Sequence, residues 1–184
     1  MRRKIFILII AAMALATVQR TQAQDVAVKT NIAADALANV NLGAEIGLAP
    51  KWTLDLTGEF NGWTFSHNRR WKHWLAMPEA RYWLCDRFSG HFLGVEAHGG
   101  QYNIGGFDGK WNLFGTDARK LKDTRYQGWF VGGGVTYGYA WILGRHWNLE
   151  AEIGIGYSYT RYDRFKCDNY VGPTKAAVNL VYVF

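Results

Sequence analysis

The amino-acid sequence predicts an all-β protein and, within that class, an eight-stranded antiparallel transmembrane β-barrel of the outer-membrane type. Three observations lead to this fold. The chain opens with a segment of secretory character, apolar residues then alternate with polar residues or glycine along eight segments, and short connections mostly alternate with long ones. No stretch after Ala23 is apolar enough to be a membrane helix.

The N-terminal segment has the three parts of a signal peptide. Residues 2–4 are basic, residues 5–18 are almost all apolar, and small residues lead to a cleavage site after Ala23. The apolar run is shorter than the roughly 20 residues that a spanning helix needs, which disfavours an uncleaved anchor. We therefore predict a signal peptide over 1–23 and an outer-membrane barrel domain over 24–184.

The basic charge of the chain belongs mostly to this leader. The formal net charge is +6, and the leader contains four bases and no acid, so residues 24–184 carry a net charge of +2. Nucleic-acid binding would need a large basic face on the folded domain. The sequence therefore predicts no nucleic-acid partner.

Eight segments after the leader show the alternation that is typical of strands. They cover residues 26–34, 39–48, 52–63, 74–85, 90–102, 126–142, 146–162 and 174–184. Several have the 9–11 residues that a tilted strand needs to cross a bilayer. An even number of strands places both ends of the barrel domain on one side of the membrane.

Five of the segments alternate most clearly. In the second segment the apolar face holds Val40, Leu42, Ala44, Ile46 and Leu48. In the third it holds Trp52, Leu54, Leu56 and Phe60. In the sixth, glycines alternate with Trp129, Val131, Val135, Tyr137, Tyr139 and Trp141. In the seventh the apolar face holds Trp147, Leu149, Ala151, Ile153, Ile155, Tyr157 and Tyr159, and in the eighth Ala176, Val178, Leu180, Tyr182 and Phe184.

The connections sort into two classes by length. Short turns are expected around Pro50, at 86–89 and around Gly144, which would all lie on the periplasmic side. Long loops are expected at 64–73, 103–125 and 163–173, which would all lie outside, together with the short 35–38 connection. This asymmetry is characteristic of outer-membrane barrels.

A soluble eight-stranded barrel, such as a lipocalin-like carrier, would show the same alternation with its apolar face turned inward. The placement of aromatic residues favours the membrane form, because two aromatic belts flanking an apolar band suit a bilayer with two interfaces. The expected periplasmic belt holds Trp52, Trp141, Trp147, Tyr182 and Phe184. The expected outer belt holds Trp63, Trp74, Tyr102, Trp129 and Tyr159.

The face opposite the apolar one is rich in charge, and charges face lipid only at high cost. We therefore expect a polar network inside the barrel that contains Lys29, Glu45, Asp55, Glu59, Glu79, Arg81, Glu96, His98, Glu150 and Glu152. An eight-stranded barrel is just wide enough for side chains to fill. A salt-bridged core that holds the barrel shut is the favoured interpretation, with Arg81 as the main counter-charge, especially for Glu79 and Glu96. A narrow proton or cation path is the alternative.

Four blocks of the sequence resemble one known family. These blocks are NRRWKHWLAMPEARYWLC, HFLGVEAHGGQYNIGG, YGYAWILGRHWNLEAEIGIGYSY and GPTKAAVNLVYVF. They resemble the Bacteroidota proteins grouped as domain of unknown function 3575, over nearly the whole mature chain. The resemblance implies a small outer-membrane barrel with a structural, surface or adhesion role that is linked to fimbrial systems. It implies no catalytic residues.

Enzymatic chemistry is the alternative function. Acyl-modifying barrel enzymes need a serine beside a histidine with an acidic partner, and Glu96, His98 and Ser158 share the inner face. No family-specific motif accompanies them, so we predict no enzyme, no cofactor and no metal. A barrel enzyme acting on envelope lipid or its acyl chains would be favoured if these three side chains lay within hydrogen-bond reach of one another.

The sequence also suggests partners in the envelope. In the 64–73 loop, Arg69, Arg70 and Lys72 stand among aromatic residues and could hold lipopolysaccharide phosphates beside outer-membrane lipid. Tyr182 and Phe184 end the last strand and resemble the signal by which the barrel-assembly machinery recognises its substrates. The long outer loops offer contacts to a surface or fimbrial protein.

Overall fold

The computed structural model describes residues 26–65, 69–106, 112–113, 116–117, 126–162 and 165–184. These residues are almost entirely β-structure, which confirms that the protein is all-β. The helix in this part of the chain, α1 (Ile32–Ala36), is short, and no helix there is long and apolar enough to cross a membrane. The predicted signal peptide lies outside the described residues.

Eight principal strands follow one another along the chain, as the sequence predicted. They are β1 (Val26–Asn31), β2 (Val40–Ala49), β3 (Trp52–Asn61), β4 (Arg69–Trp83), β5 (Gly90–Gly105), β6 (Tyr126–Ile142), β7 (Trp147–Tyr162) and β8 (Phe165–Val183). A two-residue strand, Thr64–Phe65, pairs with β4, and the short strands Asn112–Leu113 and Thr116–Asp117 pair with each other.

The eight strands close into an antiparallel ring. Each strand pairs with the next one along the chain, and β1 also pairs with β8, where Ala27 lies opposite Val183. At this seam the backbone N–H of Phe184 donates to the carbonyl of Val26 over 2.9 Å. Because every principal strand has two neighbours, the ring has no free sheet edge.

The two ends of the ring differ. The terminal end holds Val26, Phe184 and the turns around 50–51, 84–89 and 143–146, where the sequence predicted short connections. The opposite end, called the loop end, holds α1, the last residues of β3, β5 and β7 and the first residues of β4, β6 and β8. α1 interrupts the first predicted segment because the Asn31 side chain caps it, accepting from the N–H groups of Ala33 and Ala34.

Two long loops predicted from the sequence are largely strand. β4 begins at Arg69 rather than at 74, and β8 begins at Phe165 rather than at 174. The early part of β4 is basic, and the early part of β8 contains Pro173, so both resemble loops in sequence. Pro173 is tolerated because it lies at a shift in the β7–β8 register, where the ladder is irregular.

Side chains alternate between the inside and the outside of the ring. Those pointing inward are mostly buried and polar, whereas those pointing outward are mostly exposed and apolar. The outward set between the two ends includes Leu42, Ile46, Leu56, Leu93, Val95, Val131, Val135, Ile153 and Ile155.

Aromatic rings on the outward face, exposed or half-buried, gather at both ends. At the terminal end the Trp147 and Tyr182 rings lie 5.0 Å apart, and Tyr182 and Phe184 lie 4.9 Å apart. At the loop end Trp129 and Tyr159 lie 5.7 Å apart. Tyr102 does not belong to the outer belt in which the sequence placed it. Its hydroxyl is buried, and its aromatic ring packs on that of Phe130 in the interior.

The two cysteines lie at opposite ends, so we predict that they stay unpaired. Cys85 is exposed in the turn after β4 at the terminal end. Cys167 lies in β8 close to the loop end, about 50 Å along the strand from Val183 at roughly 3.3 Å per residue. A disulfide needs Cα atoms within about 7 Å. Thiol labelling of the unreduced, denatured chain should find both thiols free, and an intramolecular bond would contradict the ring topology.

Candidate functional site

The interior of the ring is the best candidate for a functional site, because it concentrates charge where protein interiors are normally apolar. Of the residues in the predicted polar network, all but Glu59 are buried. They are Lys29, Glu45, Asp55, Glu79, Arg81, Glu96, His98, Glu150 and Glu152.

Arg81 lies at the centre of this interior. One guanidinium nitrogen, Nη1, lies 2.9 Å from Glu45 and 3.1 Å from Glu150. The other, Nη2, lies 3.1 Å from Asp55, 3.2 Å from Glu79 and 2.8 Å from Glu152. A guanidinium is permanently charged and presents a planar fork of donors, so it can serve several carboxylates at once. The carboxylates reach it from β2, β3 and β7 as well as from its own strand.

Two lysines share these carboxylates. Lys29 lies 2.5 Å from Glu45 and 3.1 Å from Asp55. On the far side Lys175 lies 2.5 Å from Glu79 and 3.0 Å from Glu152. The three bases and five acids, called the central charge cluster, are Lys29, Glu45, Asp55, Glu79, Arg81, Glu150, Glu152 and Lys175. They come from six of the eight strands.

Neutral side chains add hydrogen bonds to several of the carboxylates. The hydroxyls of Thr53 and Thr136 donate to Glu45 and Glu79, each over 2.5 Å, and the Asn179 amide donates to Glu150 over 2.8 Å. Gly94 provides the room, because a Cβ there would collide with the Glu79 carboxylate and the Thr136 hydroxyl. Buried charges are tolerated only with such partners.

The terminal end of the interior is closed by an aromatic cluster. The Trp83 ring lies 4.8 Å from that of Phe92 and 6.0 Å from that of Phe88. Phe88 has a positive φ of 61°, which turns its ring into the interior, and its carbonyl accepts from the amide of Asn148 over 2.7 Å. Arg81 lies over the Phe92 ring, 4.5 Å from its centre, so the charge cluster rests directly on the aromatic one.

Glu96 and His98 form a second site nearer the loop end, together with Ser158. The Nδ1 atom of His98 lies 2.9 Å from the Glu96 carboxylate, and its Nε2 atom is hydrogen-bonded to the Ser158 hydroxyl. Glu96 therefore pairs with His98 rather than with Arg81, which corrects the pairing expected from the sequence. The three side chains that the enzyme alternative required to meet do meet.

Glu59 lies apart from both groups, at the loop end. Its carboxylate lies 3.0 Å from His73 Nε2 and accepts from the Asn39 amide over 2.5 Å. The Asn61 amide in turn donates to the side chain of Asn39 over 2.6 Å. Glu59 thus belongs to a polar network that ties β2, β3 and β4 together at their loop ends.

The residues expected to contact lipopolysaccharide lie on β4, next to the loop end. Arg70 and Lys72 are partly exposed and share the outward face with Trp74. The side chain of Arg69 lies outside the described residues. Arg70 and Lys72 are thus held by a strand rather than by the loop that the sequence predicted.

One comparison with known proteins finds a match. The family model described as Protein of unknown function (DUF3575) matches residues 6–184. The chain belongs to this family. No curated protein and no solved structure matches it.

One member of the central charge cluster, Lys175, was not predicted from the sequence. Lys175 was not among the expected interior residues, although it has the opposite parity to the apolar Ala176 and Val178 and therefore points inward. Because the last strand was expected to begin at residue 174, Lys175 lay next to an expected loop and was not assigned to the interior. The alternation alone could have found it.

Removing the guanidinium of Arg81 should strongly destabilise the protein. Arg81→Leu leaves five carboxylates facing two lysines, so we expect a loss of about 3–5 kcal/mol in the free energy of unfolding at neutral pH. The loss should shrink in acid, because protonated carboxylates no longer repel one another. Urea titration of the protein in detergent, followed by tryptophan fluorescence, measures both effects.

The matched control is Lys51→Leu. Lys51 is exposed, and its ammonium donates to the carbonyl of Leu84 over 3.1 Å at the terminal end. The same loss of one positive charge should change the free energy of unfolding by no more than about 0.5 kcal/mol. Equal urea midpoints for the two variants would contradict the central role of Arg81.

Proposed function

We propose that this protein is a membrane-spanning β-barrel of the outer membrane, with a structural or surface-interaction role. The observation that carries the proposal is the polarity of the ring, which is charged inside and apolar outside. A soluble barrel needs the reverse arrangement, because fully burying one aliphatic side chain gains about 1.5–3 kcal/mol. In water the outward face would expose a continuous apolar belt, and such belts mark membrane or protein contacts.

The height of the apolar belt suits a bilayer. On β7 the belt runs from Trp147 to Tyr159, about 40 Å along the strand at roughly 3.3 Å per residue. With the 35–45° tilt that is usual in such barrels, the span along the membrane normal is about 30 Å. This equals the thickness of a hydrocarbon core, and the aromatic rings at both ends would then lie at the two interfaces.

A structural role suits the filled interior better than transport does. The aromatic cluster of Trp83, Phe88 and Phe92 closes the terminal end, and the central charge cluster fills the space next to it. A proton or cation would have to displace ion pairs whose separation leaves buried charges without partners. We propose that the interior holds the barrel together and does not conduct.

The surfaces of the barrel suggest its partners. Arg70 and Lys72 lie beside Trp74 on β4, and we propose that they contact lipopolysaccharide phosphates at the loop end, which would face outward. At the other end the rings of Tyr182 and Phe184 would face the assembly machinery during insertion. A surface or fimbrial protein would approach at the loop end.

Fractionation of cell envelopes tests the location. The protein should co-purify with the outer membrane, and it should migrate differently on a denaturing gel before and after boiling, because a closed barrel resists detergent. Recovery in the soluble fraction, or identical migration of heated and unheated samples, would count against the proposal.

A pair of substitutions tests whether the apolar belt faces lipid. Val135 is 56% exposed in the middle of the belt, opposite Val95 and Ile155, whereas Leu143 lies in a turn at the terminal end. In vesicles, Val135→Arg should cost about 2–4 kcal/mol in the free energy of unfolding and Leu143→Arg about 0–1 kcal/mol. If both sites faced water, the two substitutions would have similarly small effects.

A further inference from the structure

Ser158 on β7 has an environment unlike that of the other hydroxyls buried inside the ring. Thr53 and Thr136 donate to carboxylates of the central charge cluster, which already contact its three bases. Ser158 is instead hydrogen-bonded to Nε2 of His98, a side chain that can take up its proton. Within the described residues Glu96 pairs with His98 and with none of the three buried bases.

A glycine on the intervening strand allows this contact. His98 on β5 and Ser158 on β7 are both paired with Gly132 on β6, so they stand on either side of it. A Cβ at Gly132 would collide with the His98 ring. The bare backbone of β6 therefore lets an imidazole from one neighbouring strand reach a hydroxyl on the other.

The carboxylate fixes the proton positions on the imidazole. An ionised Glu96 can only accept hydrogen bonds, so the Nδ1 atom of His98, 2.9 Å away, carries the proton. In a neutral ring with its proton on Nδ1, the lone pair is on Nε2, where it can accept the Ser158 O–H. This order of acid, histidine and hydroxyl is the one that activates a serine nucleophile.

The position of Ser158 indicates how a substrate would reach it. Ser158 and Thr160 each retain about 8% of their accessible surface, and both lie on the loop-end side of the central charge cluster. The aromatic cluster closes the opposite end. The ring of Phe130 lies 6.0 Å from that of His98 and 6.1 Å from that of Tyr102, so an aromatic wall borders the imidazole. An aliphatic acyl group would suit that wall.

We propose that Ser158 is the nucleophile of an ester-hydrolysing site, with His98 as its general base and Glu96 as the residue that positions His98. The substrate class is a carboxylic ester with an aliphatic acyl chain, which enters from the loop end. Ser158 would act in this way whether or not the ring spans a membrane, so its chemistry can be tested separately from the location of the protein.

The reaction balances with water as the co-substrate. The Ser158 oxygen bonds to the ester carbonyl carbon as its proton passes to His98 Nε2. The bond from that carbon to the alcohol oxygen breaks, and the departing oxygen takes the proton from His98. Water then attacks the acyl-serine and gives its proton to His98, and the carboxylic acid leaves as that proton returns to Ser158.

A fluorophosphonate probe tests whether Ser158 is activated. The full chain, folded in detergent, should be phosphonylated on Ser158 with loss of fluoride, as shown by mass spectrometry of the labelled peptide. Ser158→Ala should abolish the label, and His98→Asn should slow labelling by about 100-fold or more. Glu96→Gln should also slow it, since the neutral amide no longer fixes the Nδ1 proton. Circular dichroism and unheated gel migration confirm that each variant is folded.

The matched control is Thr160→Ala, because Thr160 is as exposed as Ser158 and lies on the same inward face of β7. This variant should label at the wild-type rate. Equal labelling of Thr160 and Ser158, or no labelling of a folded chain, would overturn the proposal and leave the hydrogen bond a structural one.

Two substrates distinguish the source of the ester. One is p-nitrophenyl butyrate in detergent, and the other is phosphatidylethanolamine in vesicles that contain the inserted protein. Ser158-dependent release of nitrophenolate alone would indicate a small soluble ester, and Ser158-dependent release of fatty acid would indicate a membrane lipid. Release from neither substrate would contradict ester hydrolysis, whatever the outcome of envelope fractionation.

Discussion

The contact between Arg81 and its carboxylates is the constraint on which the rest of the ring depends. Five acids approach one guanidinium, and four of them come from other strands. None of these carboxylates could remain buried and charged without a base, and Arg81 could not remain buried without acids. The cluster therefore forms only when β2, β3, β4 and β7 are all in place. Because residues as distant in sequence as 81 and 152 must meet, closure of the ring is cooperative.

The strands could be predicted from the sequence because each one obeys a local rule. The period of two is visible in β2, β3, β6 and β7, and it also assigns most interior charges to the correct face. The rule failed where local composition resembles a loop, at the basic start of β4 and around Pro173 in β8. It also missed α1, whose start depends on the side chain of Asn31 capping the helix.

The partners inside the ring could not be predicted in the same way. Parity places Glu79, Arg81 and Glu96 on the inner face, and their positions on the same and the neighbouring strand predicted that Arg81 would pair with both acids. In the structure Arg81 does contact Glu79, but Glu96 turns toward His98. Which of several inward acids meets a given base depends on side-chain length and on the room left by Gly94 and Gly132, whereas the period of two fixes only the face on which each residue lies.

The glycines along β6 change which strands are neighbours. Gly132 and Gly134 face inward on β6 and carry no side chains. At that level β6 contributes only its backbone to the interior, and side chains of β5 and β7 can approach each other across it. Side chains from alternate strands become direct neighbours there. A substitution on β5 should then be compensated most readily by a change on β7, and pairs of covarying positions in related sequences should appear two strands apart at this height.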